Sequence, residues 1–377
     1  MSVIASGHEW GQFVSGAASL EEEEPGGVTV HRLPAWARAQ VDDPLFSFAE
    51  ACPVGVTVRF ETDASFVTLT LSSTTLAPTG ADPAPVTLIA RQAGSETNVP
   101  LSAPSVIFLG PENRVVDVRR QDPETVTVPT AGSGPVEILL PHNAQVRLVS
   151  LESAGRLVPS PASGTRWTHY GSSISHGMNA VSAARTWPVA AASRLGWNLR
   201  NLSFAGNAQL DGFAARIIRD TPADVITLKV GINLVNADSM RERTFRPAVH
   251  AFLDTIREGH PSTLIAMISA VACPIHESAP GPVTKDSEGR ARAASRAVHP
   301  DTGALSLRRT REILADVVHG RADERLMLVD GRELFGDEDV AMLYDGLHPD
   351  QDGLDLIARR FIALGKDWNV ERIGEAS

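Results

Sequence analysis

The chain has 377 residues, 43% hydrophobic and 21% charged, with a formal net charge of −11. That length suits two domains rather than one core, and the composition excludes wholesale disorder. The acidic balance excludes nucleic acid as the main partner, because phosphate binding needs a basic face, and no run of about 18 apolar residues exists to span a membrane.

Met1 to Gly16 lacks the basic start and apolar core of a signal peptide, so a cytoplasmic location is expected. The two cysteines, Cys52 and Cys273, lie far apart and are expected to be unpaired thiols. No Cys/His group has zinc-ligand spacing, and neither a metal nor another cofactor is expected.

In chain order, Glu21–Glu24 reads as a solvated acidic loop. From about residue 27 to 152, apolar and polar residues alternate with period two: Val56, Val58 and Phe60, then Val67, Leu69 and Leu71, later Val126 and Val128, then Val146 and Leu148. Such alternation gives strands with one buried and one wet face. Asp82-Pro83, Gly110-Pro111 and Gly132-Ser133-Gly134 punctuate these runs as turns. Residues 1–160 are therefore expected to form an antiparallel, jelly-roll-like β-sandwich, with no helix between about 27 and 152 beyond a short one near Trp36. Leu157–Gly164, rich in Pro, Ser and Gly, reads as a linker.

Residues 165–377 change grammar to strands alternating with helices. Thr186 stands as a helix cap with Pro188 and Gly196 at the ends of that helix. Buried strands are expected at Val225–Val230, Leu264–Ile268 and Leu326–Val329, and helices at Glu242–Glu258, Leu305–Val318 and Leu354–Leu364. This order specifies a parallel sheet covered by helices on both faces, with its ligand site at the carboxyl ends of the strands.

Four motifs fall near those strand ends. Gly171-Ser172-Ser173-Ile174 can expose a serine hydroxyl on a tight turn. Gly206, in Ala205-Gly206-Asn207, offers an open backbone N–H. Asn233, in Gly231-Ile232-Asn233, can point an amide into the cleft. Asp345-Gly346-Leu347-His348 can orient an imidazole within one loop. Alone, each reads more readily as an ordinary turn or helix cap. Together they supply a nucleophile, a base, an orienting acid and oxyanion donors.

From Trp167 to Leu364 these blocks resemble the SGNH hydrolases, also called GDSL esterases. The resemblance implies a flavodoxin-like three-layer α/β fold and ester or amide hydrolysis without a metal. It assigns Ser173 as nucleophile, His348 as base and Asp345 as its partner, with Ser173, Gly206 and Asn233 as the oxyanion hole. Ser172 stands where the family most often has Asp, a variant similar to a known Gly-Ser-Ser-Ile subgroup, and Leu234 follows Asn233 where Asp is common. The β-rich half is similar in architecture to the jelly roll that precedes the hydrolase domain in some carbohydrate esterases.

The expected substrate is a small-molecule acyl ester, an acetyl ester of a sugar first. The alternatives are an acyltransferase using the same triad and a non-enzymatic carbohydrate-binding protein. His176 is expected in a supporting or surface position, His169 and Trp187 as packing residues, and Cys273 as an inert thiol near the cleft rim. The long polar stretch Ala279–Asp301 reads as a loop that is either functional or disordered.

Overall fold

A computed structural model of the chain describes residues 2–110, 113–295, 302–368 and 370. The chain divides into two compact units: Met1–Ser163 with Val181–Ala184, and Gly164–Ala180 with Arg185–Ser377.

The first unit is two sheets around one core. The larger sheet runs in the order Val115–Arg119, Ser105–Leu109, Phe66–Pro78, Ala144–Ser153, Val28–His31 and Ser19–Glu22, with Ser2–Ile4 and Glu124–Pro129 joined to its long strands. The smaller sheet is built on Thr57–Glu61, Pro135–Leu139, Val86–Gln92 and Ser95–Leu101. Strand Phe66–Pro78 alternates buried and half-buried residues along almost its whole length. Its inward side chains, Val67, Leu69 and Leu71, meet Val58, Phe60 and Ile138 of the other sheet in a common apolar core. Each such side chain removed from water contributes roughly 1.5–3 kcal/mol before chain entropy is counted.

Four expectations for this half are corrected. The sandwich is not wholly antiparallel, because Phe66–Pro78 pairs in parallel with Ser105–Leu109. Between those strands the chain crosses to the other sheet and returns, which supplies the long crossover a parallel pair requires. A helix occupies Pro44–Ala51, where none was expected. Asp43 caps it by accepting from Leu45 N and Phe46 N, and Pro44 takes the first turn. Phe46, Phe48, Ala49, Glu50 and Ala51 are all buried, so no 3.6-residue apolar stripe marks it in the sequence. The acidic run is half strand: Glu21 and Glu22 end Ser19–Glu22, and Glu21 pairs with Arg38. In the presumed linker, Val158–Pro159 forms a short strand on Thr57–Glu61. Pro111 of the Gly110-Pro111 turn lies outside the described residues.

The second unit is a five-stranded parallel sheet. Its strands are β1 (Thr165–Gly171), β2 (Trp197–Ser203), β3 (Val225–Lys229), β4 (Leu264–Ile268) and β5 (Leu326–Val329), in the order β2-β1-β3-β4-β5. The main helices are α1 (Trp187–Leu195), α2 (Gly212–Asp220), α3 (Glu242–Gly259), α4 (Leu307–Gly320) and α5 (Gln351–Lys366). This is the flavodoxin-like doubly wound arrangement. All residues of β3 and β4 are buried, as strands covered on both faces must be. Trp167 of β1 stacks on Phe361 of α5 and packs against Trp187 of α1, which fixes both helices to the strand that leads to Ser173. Thr186 occupies the cap position of α1, but its side chain makes no cap hydrogen bond.

Candidate active site

The carboxyl end of β1 sets the first part of the site. Gly171 ends the strand, and a one-turn helix Ser173–His176 follows at once. A side chain at Gly171 has no room: its Cβ would stand 2.5 Å from Ser175 Oγ and 2.9 Å from His169 Nε2. Glycine therefore lets the turn fold back tightly, leaving Ser173 half-buried with its hydroxyl reachable.

Ser173 Oγ lies 3.0 Å from His348 Nε2, and His348 Nδ1 lies 2.8 Å from Asp345 Oδ2. The other Asp345 oxygen accepts from Leu347 N at 2.9 Å and His348 N at 2.7 Å. Partial burial pushes the Asp345 carboxyl up. The hydrogen bond and attraction of the His348 ring and the two backbone N–H groups outweigh it and hold the carboxyl down at about 2. Asp345 is thus an anion at any working pH. It can fix the ring and stabilise an imidazolium, while Nε2 faces the hydroxyl.

The loop after β2 carries Gly206 in a left-handed conformation, φ +75°, exposed and with nothing within 4 Å of a would-be Cβ. Three hydrogen bonds hold that loop between its neighbours. Phe204 N donates to Gly171 O at 2.9 Å, Leu210 N donates to the Tyr170 hydroxyl at 2.9 Å, and Ala208 N donates to Asn233 Oδ1 at 3.0 Å. Asn233 is buried at the start of the short helix Ile232–Asn236 after β3. Its Oδ1 is committed to Ala208, so the Nδ2 end is the one free to donate. The Gly206 and Asn233 loops are therefore bonded to each other, and the Gly206 loop is bonded to β1.

Three supporting features escaped the sequence reading. The Tyr344 ring is half exposed and lies nearly parallel to the His348 ring, centroids 6.3 Å apart. Burial, then the Asp345 charge, pushes its phenol up to about 12, so it stays neutral. A hairpin, Val283–Lys285 with Ala291–Ala293, forms inside the long polar stretch, and Ala291 N donates to Asp345 O at 2.8 Å. The part of that stretch from 296 to 301 lies outside the described residues. Third, Lys229 at the end of β3 is buried, and its Nζ has no hydrogen-bond partner among the described residues.

The other histidines of this region do not compete as bases. His169 is fully buried against Thr227, its Nδ1 2.6 Å from Thr227 Oγ1, and burial followed by the charge of Lys229 drives its imidazole down to about 3. His176 is buried rather than at the surface. Cys273 is buried as well. Its thiol faces Gly346 O at 3.8 Å, and burial pushes it up to about 12, which leaves it unreactive. Both cysteines are free.

A parallel sheet with a Ser–His–Asp chain beyond its carboxyl edge defines a serine hydrolase domain of flavodoxin-like fold. Residues 169–356 match the model of the GDSL-like lipase/acylhydrolase family, and through this unit the chain belongs to that family. Among solved structures, the chain is similar to the salicylyl-acyltransferase SsfX3 from a tetracycline biosynthetic pathway, with 25% identity and a TM-score of 0.76 over 95% of this chain and 96% of that one. A family two carbohydrate esterase from Clostridium thermocellum shares the fold at 13% identity and TM-score 0.57, covering 97% of this chain and 98% of that one. So does an acetyl xylan esterase from the rumen bacterium Butyrivibrio proteoclasticus, at 10% identity and TM-score 0.54, with coverage of 97% and 98%. No curated protein matches the chain. No described helix is long and apolar enough to cross a membrane.

Proposed function

We propose that the protein is a serine esterase that removes small acyl groups, acetyl first, through an acyl-enzyme on Ser173. The observation that carries this reading is the unbroken chain from Ser173 Oγ through His348 to Asp345. His348 takes the hydroxyl proton as Ser173 attacks the ester carbonyl, and Asp345 stabilises the imidazolium. The Ser173 and Gly206 backbone N–H groups and the Asn233 side chain hold the oxyanion. The imidazolium then gives its proton to the leaving alcohol, and water repeats the sequence to release the acid.

The recess beside the triad is shallow, about 10 Å³, and is lined by Ile174, Met178, Asn179 and Leu354. That is far below the roughly 300–1,000 Å³ of a pocket for a drug-sized ligand, which favours a short acyl group over a long one. O-acetylated sugars are the first substrates to test, on the strength of family resemblance and of the acetyl xylan esterase of like fold.

Acyl transfer to an alcohol is the second reading, favoured by the likeness to a salicylyl-acyltransferase over nearly the whole chain. The chemistry differs only in what attacks the acyl-enzyme. A series of p-nitrophenyl esters from acetyl to dodecanoyl, run with and without added alcohols, tests both. Highest kcat/KM on acetyl with free acid as product is expected. A new ester as the main product would favour the transferase. No turnover of any ester would favour a binding protein.

A further inference from the structure

Lys229 is 2% exposed, and no hydrogen-bond acceptor reaches its Nζ among the described residues. A buried ammonium without a carboxylate is costly, and replacing one with an apolar side chain is often neutral or stabilising. Its presence in the core calls for a reason other than stability.

The register shows where it stands. β1 and β3 pair in parallel, with His169 opposite Thr227 and Tyr170 opposite Leu228, so Lys229 comes level with Gly171. His169 and Thr227 bond to each other on one face of the sheet, and Lys229, two residues after Thr227, projects from that same face. Beside Gly171 two more buried polar atoms, Ser175 Oγ and His169 Nε2, lack partners among the described residues. Lys229 thus closes the strand that leads to Asn233, next to the strand end that leads to Ser173.

Among the described residues, few charged or titratable groups act on Lys229. His169 faces it from β1 and is neutral. Arg311 of α4, itself ion-paired with Glu277 at 2.8 Å, acts on it electrostatically, as does the uncharged Cys273 thiol beyond β4. None of them neutralises a positive charge.

We propose that Lys229 is a positioning residue of the acyl-transfer site: its buried, unpaired ammonium lies beneath the strand ends that carry Ser173 and Asn233 and stabilises the negative charge that develops there. The group touches no substrate. It acts through the field it places under the oxyanion donors, in surroundings where screening by water is weak. Burial, then the charge of Arg311, brings the amine down to about 8. The ammonium is therefore present below about pH 8 and is lost as pH rises through it, so the assistance fades on the alkaline side.

This inference rests on the esterase reading, and the experiment separates the two. Wild type, Lys229→Met, Lys229→Arg and Ser173→Ala are compared on p-nitrophenyl acetate between pH 6 and 10, with thermal melts of each. Lys229→Met should lower kcat roughly ten-fold at pH 7, the scale of one charge acting across several ångströms of protein, with KM little changed. Its kcat should lose the decline that wild type shows above about pH 8. It should melt at or above the wild-type temperature, whereas a lysine kept for stability would lower it. Lys229→Arg should restore kcat and move the decline to higher pH. Wild-type kcat with an unchanged alkaline decline in Lys229→Met, or a Lys229→Arg no better than Lys229→Met, overturns the inference. Full activity in Ser173→Ala instead overturns the esterase reading.

Discussion

At the scale of single residues, the site separates groups by what surrounds them. Asp345 and His169 are both held far from neutral-pH titration, in opposite senses: hydrogen bonds keep Asp345 charged, and burial keeps His169 neutral. That leaves His348, bonded to Ser173, as the imidazole placed for proton transfer. In the proposed mechanism Asn233 has two jobs that substitution can divide, because Oδ1 accepts from Ala208 N while Nδ2 remains to donate. Asn233→Asp keeps an acceptor for Ala208 and removes the donor, so kcat should fall by at least the roughly 10²–10³-fold typical of one lost oxyanion donor, with the fold intact. Asn233→Ala should lose kcat and also loosen the Gly206 loop, seen as faster amide exchange at Ala208. A rise in KM with kcat unchanged in Asn233→Asp would assign the amide to ground-state binding. Ser173, Gly206, Asn233, Asp345 and His348 could be picked out because each stands in a short motif tied to a strand end. Lys229 and Tyr344 could not, since a lone lysine in an apolar run and a tyrosine before an acid carry no pattern until the strands are paired.

At the scale of elements, legibility followed periodicity. β4 and β5 fall at Leu264–Ile268 and Leu326–Val329, the bounds read from their apolar runs, and α3 differs from its expected span by one residue. The helix Pro44–Ala51 was missed because it is buried nearly all round, although Asp43-Pro44 was a usable start signal. Its cap gives a direct check. Asp43→Ala removes the acceptor for Leu45 N and Phe46 N and should cost about 0.5–2 kcal/mol in denaturant unfolding, with kcat unaltered. An unchanged midpoint would mean that packing of the buried face alone holds this helix. The hairpin Val283–Lys285 with Ala291–Ala293 was hidden for another reason: its strands have three residues each, too short for a periodic pattern, and the bond from Ala291 N to Asp345 O ties the segment to the site.

At the scale of the whole molecule, every residue assigned to acyl transfer lies in the unit formed by Gly164–Ala180 and Arg185–Ser377. The other unit has its own apolar core. Acyl transfer as proposed requires Ser173 to be a nucleophile that His348 activates. The measurement that reaches this most directly is covalent labelling of the intact protein with a fluorophosphonate, read by mass spectrometry and peptide mapping. One adduct per chain is predicted, on the peptide carrying Ser173, abolished in Ser173→Ala and slowed by several orders of magnitude in His348→Ala, because the two residues act as a unit. An adduct elsewhere, labelling that persists in Ser173→Ala, or labelling of His348→Ala at the wild-type rate would contradict it.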